Sequence, residues 1–239
     1  MNARLETTVP APLDPEQAIG QIAVQLPGAT AVFRRHKLDF CCGGQVSLRQ
    51  AAQDRGLNLQ AVLAELAPLQ HGDAPAPAGE PGALIDHILT RYHAVHREQL
   101  PELVRMARRV EAVHRDHPAV PRGLADFLAG MEQELVSHMM KEEQVLFPML
   151  RTGGQPMAVQ AIGMMRHEHV DHGLSLERLA TLTQDTTPPA DACTTWRALY
   201  AGIAQLNEDL IQHIHLENNV LFPRFEGIPG GQAGTCGCA

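Results

Sequence analysis

The sequence predicts an all-α protein, in which a four-helix bundle follows a small helical N-terminal domain. Three observations predict this class. Apolar residues recur at spacings of three and four along the C-terminal part of the chain, strand-type alternation is missing there, and Gly and Pro cluster between the periodic stretches. The four bundle helices are expected over about residues 83–114, 121–150, 156–183 and 190–225.

Composition excludes several classes of protein. The chain has 239 residues with 19 basic and 27 acidic side chains, a formal net charge of −8, and 44% hydrophobic residues. A chain of this length and apolar content can bury a sizeable core, so disorder throughout is excluded. The acidic balance argues against nucleic-acid and membrane-surface partners. We find neither a signal-peptide pattern nor a run of roughly 20 apolar residues, so neither export nor membrane insertion is expected.

Clusters of Pro and Gly divide the chain. Residues 67–82 can hold neither a helix nor a central strand, and we expect them to be a linker. The linker separates a small N-terminal domain, residues 14–66, from the bundle, residues 83–226. The Gly-rich residues 227–239 are predicted to form a flexible tail. Five cysteines, an odd number that is sparse for the length, favour a reducing cytoplasm over a disulfide framework.

The second and fourth bundle helices end in a repeated motif, SHMMKEEQVLFP and QHIHLENNVLFP. In each copy a His and, four residues later, a Glu interrupt the apolar stripe: His138 with Glu142, and His213 with Glu217. Residues four apart lie on one face of a helix, so each pair can reach one point in the bundle interior. Glu134, one turn before His138, is predicted either to orient that histidine and relay protons or to be solvated.

The first and third helices also carry histidine on their apolar faces. His93 and His96 share the stripe of the first helix, and His169 and His172 share that of the third. The spacing leaves open which member of each pair contributes to a site. His167 lies off the stripe of the third helix and is not expected to contribute.

Two carboxylates within apolar seams need compensation. An ionised carboxylate taken into an apolar interior costs several kcal/mol or more, and Lys and Arg are missing from the seams at this depth. Histidines and carboxylates from four helices are typical of two transition-metal ions, and a mixed set favours iron over structural zinc. We therefore predict a dinuclear centre that Glu142 and Glu217 bridge, with an open position for a small ligand such as O₂ or NO.

Two further segments are distinctive beside the repeated motifs: RYHAVHREQLPEL in the first bundle helix and DFCCGG near the N-terminus. Together these segments resemble the hemerythrin-like di-iron proteins of iron–sulfur cluster repair, the RIC or YtfE/ScdA family. The resemblance covers both domains. It implies a hemerythrin-like bundle with two iron ions, joined by an oxo or hydroxo bridge. His172 and the tail cysteines Cys236 and Cys238 are not part of the family's motif. The metal ligands that it implies are His93, His138, Glu142, His169, His213 and Glu217.

The resemblance also implies a function. The expected role is a stress response in which iron–sulfur clusters damaged by nitric oxide or oxidants are repaired, with iron donation as one route. Damaged iron–sulfur proteins would be the clients, NO or O₂ the small ligands, and a homodimer is one possible assembly. The spacing itself predicts a metal site and not the repair reaction. Two other functions stay open: an enzyme that reduces NO or activates O₂, and a sensor of O₂, NO or iron.

Cys41 and Cys42 are adjacent in the N-terminal domain. Their side chains are expected to diverge, which would make them poor chelators of a single ion. Two interpretations stay open: small buried residues beside a helix end, or thiols that bind iron transiently, exchange redox equivalents or contact a client. In the second interpretation, Arg34, Arg35 and Lys37 would lower the pKa of a thiol if they lay near it.

Overall fold

The computed structural model describes residues 13–71, 79–154 and 156–226. In these ranges the chain is helical apart from turns, loops and an isolated antiparallel bridge, which confirms the predicted all-α class. The chain divides into two compact units, Met1–Ala78 and Gly79–Ala239. Over the same ranges, no helix combines the length and the apolar character needed to cross a lipid bilayer.

The first unit is built from short helices. Asn58 and Ser47 begin two of them, because each side chain accepts a hydrogen bond from a backbone N–H of the first helical turn. Phe33 and Phe40 lie in the core with their ring centroids 5.8 Å apart. The elements are α1 (Ile19–Gln25), α2 (Ala29–Arg35), α3 (Leu48–Asp54), α4 (Leu59–Leu66) and a 3-10 turn (Ala67–His71).

The predicted linker, residues 67–82, is only partly within the described residues. Its first five residues form the 3-10 turn, and its last two, Pro81 and Gly82, begin the first bundle helix. Residues 72–78 and the predicted tail, with Cys236 and Cys238, lie outside the described residues.

The second unit is the four-helix bundle. The first bundle helix comprises α5 (Pro81–Ile88), a π turn (Leu89–His93) and α6 (Ala94–Val113). The second comprises α7 (Leu124–Lys141), a π turn (Glu142–Leu146) and α8 (Phe147–Arg151). The third is α9 (Pro156–Leu182), and the fourth comprises α10 (Thr194–Leu216), a π turn (Glu217–Leu221) and α11 (Pro223–Glu226).

Neighbouring bundle helices run antiparallel. His93 of the first helix lies against Glu143 of the second, whereas Glu111, further along the first, lies against Ala125, further back in the second. The same reversal relates the second helix to the third and the first to the fourth. The first and third helices therefore run in the same direction.

Three bundle helices widen into a π turn. In each turn a backbone N–H donates to the carbonyl oxygen five residues earlier instead of four. The turns contain His93, Glu142 and Glu217, and the last two come shortly before Pro148 and Pro223. Proline lacks an N–H and its ring crowds the carbonyl of the preceding turn, which a wider turn accommodates. Such turns occur frequently at functional sites.

Gly202 lets the first and fourth bundle helices approach closely. A Cβ atom at this position would lie 2.7 Å from Cδ2 of Leu103, a side chain that is only 3% exposed. Gly130 in α7 differs, because a Cβ atom there would meet nothing within 4 Å.

The same substitution at these two glycines should therefore have opposite effects. Gly202→Ala overpacks a buried helix contact and should lower the free energy of unfolding by about 1 to 2 kcal/mol. Gly130→Ala should raise it by about 0.5 to 1 kcal/mol, because alanine restricts the unfolded chain and favours the helix. Urea unfolding of both variants measures the two changes. Equal effects at the two positions would contradict the close packing at Gly202.

Candidate metal centre

The structure brings together, in the bundle interior, the six residues that the family resemblance selects. All six side chains are buried. Their ligand atoms form two groups, and the atoms within each group lie within 4.8 Å of one another. One group is His93, Glu142, His213 and Glu217, and the other is His138, Glu142, His169 and Glu217. The two glutamates thus belong to both groups.

The separations between these atoms fit metal ions. Nε2 of His93 lies 3.1 Å from Nε2 of His213, and Nε2 of His169 lies 3.1 Å from Nε2 of His138. The glutamate oxygens lie 3.1–3.3 Å from the nearest imidazole nitrogens. Two ligands at right angles on an ion with bonds of about 2.1 Å are about 3 Å apart. Both oxygens of Glu142 are buried without a hydrogen bond among the described residues, so the donor set is suited to a cation.

Hydrogen bonds hold the outer ring nitrogen of three of the four imidazoles. A carboxylate or amide oxygen can only accept, so the imidazole Nδ1–H donates and Nε2 faces the interior, where its lone pair is available to a metal once the ring is neutral. The pairs, each 2.8 Å apart, are His93 with Glu143, His138 with Glu168, and His169 with Asn218.

Residue spacing alone does not predict these three acceptors, although the repeat contains a signal for two of them. Glu143 and Asn218 each directly follow one of the shared glutamates, and each accepts from a histidine of another helix. Glu168 precedes His169 in the third helix and has no counterpart in the repeat. Arg97 lies 2.8 Å from Glu143, and Lys141 lies 2.6 Å from Glu168, so each carboxylate is also held by a cation.

Glu134 does not reach the site. The side chain is exposed and makes no hydrogen bond to His138, whose Nδ1 is held by Glu168 instead. The buried face of α7 contains Leu135 and His138, whereas Glu134, one turn before His138, lies at the exposed edge of that face. The prediction that Glu134 orients His138 is therefore wrong for this structure, and the solvated alternative applies.

Charge in the site is balanced between imidazoles and carboxylates. Burial is the largest single effect on His138 and disfavours its charged form, but the carboxylates of Glu142, Glu217 and Glu168 together outweigh it and raise the pKa of His138 to about 9. The same opposition raises the pKa of His93. Burial is also the largest single effect on Glu142 and disfavours its charged form, yet the imidazoles of His138, His93 and His213 together hold the pKa of Glu142 well below the usual range. In the metal-free protein, protonated imidazoles therefore offset the buried carboxylates.

His96 and His172 lie beside the groups without belonging to them. The ring centroid of His96 is 5.5 Å from that of His213, and the centroid of His172 is 4.9 Å from that of His138. Burial lowers the pKa of His96 to about 2 and that of His172 to about 3, so both rings are neutral. The structure thus groups His93 and His169, rather than these neighbours, with the glutamates. His167 is exposed, as its position off the stripe predicts.

Aromatic rings cover three of the four grouped imidazoles. Each ring lies roughly parallel to its imidazole, with centroids 5.5–6.0 Å apart. The pairs are Tyr92 on His213, Phe147 on His93, and Phe222 on His169. These apolar surfaces keep water away from the candidate ligands.

A second cluster of possible metal ligands lies in the first unit, at Asp39, Cys41 and Cys42. The Asp39 carboxylate accepts from the Cys41 thiol at 3.3 Å and from the backbone N–H groups of Cys42 and Gly43 at 2.9 Å. This turn brings the two sulfur atoms within 3.6 Å, so the expectation that they diverge is wrong. Glycine at position 43 allows this close approach, because a Cβ atom there would lie 3.0 Å from the Asp39 carboxylate and would push it away.

The thiol environment also differs from the expectation. The hydrogen bond with Cys42 raises the pKa of Cys41 well above its usual value, and burial and a neighbouring carboxylate act in the same direction. This shift is opposite in direction to the lowering that Arg34, Arg35 and Lys37 would cause if they lay near the thiol. The Cys41 thiol is therefore protonated at neutral pH until a metal ion or an oxidant displaces the proton.

Comparison with known proteins covers both units. Residues 84–225 match the family model described as the hemerythrin HHE cation binding domain, and residues 15–70 match ScdA_N, a domain of unknown function (DUF542). The iron-sulfur cluster repair protein YtfE of Citrobacter koseri is 49% identical over 214 residues, which cover 87% of this chain and 96% of that protein. The YtfE proteins of Enterobacter sp. and Escherichia coli O157:H7 are 50% and 48% identical, with the same coverage.

The raised pKa of His138 predicts that the metal-free protein loses stability as the pH rises. The folded pKa, about 9, lies above the unfolded value of about 6.5. The stabilisation is therefore complete below about pH 6.5 and disappears as the pH rises through 9, a loss of about 3 kcal/mol. Urea unfolding of chelator-treated protein at pH 6.5 and 9.5 measures it. The His138→Leu variant should lose most of this pH dependence, and an equal slope in both proteins would contradict the assignment.

Proposed function

Because the chain belongs to the family of YtfE-type iron–sulfur cluster repair proteins, we propose that it takes part in repairing clusters damaged by nitric oxide or oxidants, using two iron ions. The observation that carries the proposal is the pair of buried ligand groups that share Glu142 and Glu217. Damaged iron–sulfur proteins would be the clients, and the cytoplasm, where thiols stay reduced, would be the compartment.

The arrangement of donors supports two ions rather than one. Each group offers two imidazole nitrogens and two carboxylates, and the four imidazoles do not fall within a single group. A carboxylate with its two oxygens facing different groups is suited to bridging. One carboxylate oxygen of Glu142, Oε2, lies 3.3 Å from Nε2 of His93 in one group, and the other, Oε1, lies 3.3 Å from Nε2 of His138 in the other group. Mixed histidine and carboxylate sets inside helical bundles are typical of di-iron sites.

Bound iron would supply redox chemistry and an open position for a small ligand. The side chains of this protein supply orientation and shielding. Glu143, Glu168 and Asn218 fix the imidazole rings by accepting their outer N–H groups, and Phe147 and Phe222 cover the rings from water.

Two features support iron as cargo that can leave the site. The side chains of Glu143 and Glu168 are 29% and 23% exposed, so a single layer of residues separates His93 and His138 from solvent on that side. The proton affinity of these two imidazoles also allows protons to replace a departing cation, which leaves the buried carboxylates compensated. We therefore favour iron donation as the route of repair.

The Asp39, Cys41 and Cys42 cluster would serve as a transient iron site or thiol donor in the transfer. Its two sulfurs and one carboxylate lie close enough to bind one ion. A protonated Cys41 binds metal only with loss of its proton, which disfavours a permanent metal and fits brief binding.

Replacing Glu142 with Gln tests the centre. The variant keeps the shape of the side chain and removes the charge that both groups share, so we expect iron affinity to fall more than about tenfold. The experiment loads the full-length protein anaerobically with ⁵⁷Fe, measures iron per chain, and follows the label into an iron–sulfur enzyme inactivated by NO. Wild-type protein should reactivate this client and transfer the label, whereas Glu142→Gln should do neither.

Glu134→Gln is the matched control, because it makes the same change on the exposed face of the same helix. It should behave as wild type. Zinc in place of iron after reconstitution would reject the di-iron centre. Conversion of NO to nitrous oxide with the label retained would favour an enzyme over a donor.

Replacing Cys41 and Cys42 together with Ser tests the transfer role. The double variant should bind iron in the bundle as wild type does, because neither thiol belongs to the buried groups. Transfer of ⁵⁷Fe to the client should be several-fold slower. Cys193→Ser, which removes a thiol that lies outside this cluster, is the control. Unchanged transfer by the double variant would show that the two thiols are structural.

A further inference from the structure

Two imidazoles beside the candidate centre have nitrogen atoms without a hydrogen-bond partner among the described residues. His96 is 0% exposed, and neither of its ring nitrogens has a hydrogen-bond partner in the described part of the chain. His172 is 6% exposed, and its Nε2 is likewise buried without a partner there. A buried polar group without a partner is destabilising, and such groups are usually paired with protein, water or a ligand.

The six candidate ligands lie at one level along the bundle, here called the ligand level, and the rings of His96 and His172 lie on the same side of it. His96 follows His93 by three residues in the first helix, and His172 follows His169 by three in the third. Because these two helices run in the same direction, the step along each helix leads to the same end of the bundle. Phe147 lies on the opposite side, since it follows the ligands in a helix of reverse direction.

The distances argue against direct ligation of metal by these rings. Two ligands of one ion with bonds of about 2.1 Å cannot be more than about 4.2 Å apart. The groups of ligand atoms that lie within 4.8 Å of one another include neither His96 nor His172. Their ring nitrogens are therefore suited to contact a molecule bound at the metal centre, and not the metal itself.

The side chains around His96 and His172 restrict the size and the chemistry of such a molecule. One turn beyond the two rings, the seam becomes apolar, with the buried side chains Leu100 and Leu176, and Leu135 of the second helix lies one turn from His138. A partner between these leucines and the ligand level must be small, and it must have lone pairs that an imidazole N–H can reach.

We propose that His96 and His172 bind a small ligand of the metal centre, a diatomic of the NO class, through hydrogen bonds from their ring N–H groups. The inference rests on the proposed di-iron centre and adds to it a binding pocket for the ligand. His172 contacts the ring of His138 and His96 contacts that of His213, so each group of metal ligands has one such imidazole beside it.

The test compares His96→Leu and His172→Leu with His96→Gln and His172→Gln in the full-length protein reconstituted with iron. Leucine fills a similar space without a donor, whereas the amide of glutamine can donate. NO is the probe, and iron per chain, the NO dissociation rate and the infrared N–O stretch are the readouts. Loss of one hydrogen bond should raise the dissociation rate about fivefold to tenfold and move the stretch to higher frequency. Glutamine should restore part of both.

His167→Leu, on the exposed face of the third helix, is the matched control and should change neither readout. Unchanged NO dissociation and stretch in iron-loaded Leu variants would overturn the pocket while leaving the centre intact. Loss of iron in either the Leu or the Gln variants would also overturn it, because the rings would then be metal ligands. Wild-type protein that holds no iron would instead reject the proposed function, and the pocket with it.

Discussion

Two carboxylates buried in an apolar bundle are the constraint on which the second unit depends. Glu142 and Glu217 are fully buried, and an uncompensated charge in such a place costs several kcal/mol. Each of the four helices contributes a histidine at the level of these carboxylates, at a position where its seam would otherwise have an apolar residue. Without metal the compensation comes from protons on imidazoles, and with metal it would come from the cations. The same constraint thus links folding, proton binding and metal binding.

Periodicity and repetition in the sequence were enough to predict the four helices and the level of the site. The apolar spacing predicted the helices, and the doubled motif located His138 with Glu142 and His213 with Glu217. Choosing His93 over His96 required the family resemblance, since both share one stripe. The distinction depends on how the first helix is rotated about its axis. The π turn at Leu89–His93 changes the direction in which the following side chains point, and residue spacing alone does not predict such a turn.

Contacts between helices explain what the sequence did not predict. Glu168 and Asn218 accept from histidines of other helices, so their roles depend on how neighbouring helices are rotated against each other. Of the two alternatives left open for Glu134, a role along its own helix at His138 does not apply, because the side chain is exposed and lies outside the site. The sulfur atoms of Cys41 and Cys42 approach each other because Asp39 closes a turn around them, and adjacency in sequence gives no indication of that turn.

The hydrogen bonds to the four imidazoles make the two ligand groups unequal. In the group with His138 and His169, both outer nitrogens donate to an oxygen of a neighbouring helix. In the other group, His93 has such a partner, but Nδ1 of His213 is buried without one among the residues that the structure describes. An acceptor at the outer nitrogen orients a histidine and raises its basicity as a ligand. One ligand group is therefore held firmly by hydrogen bonds, whereas His213 in the other is held by the stacked ring of Tyr92 and has no acceptor at Nδ1 among the described residues, so the proposed donation of iron would begin from the less firmly held group.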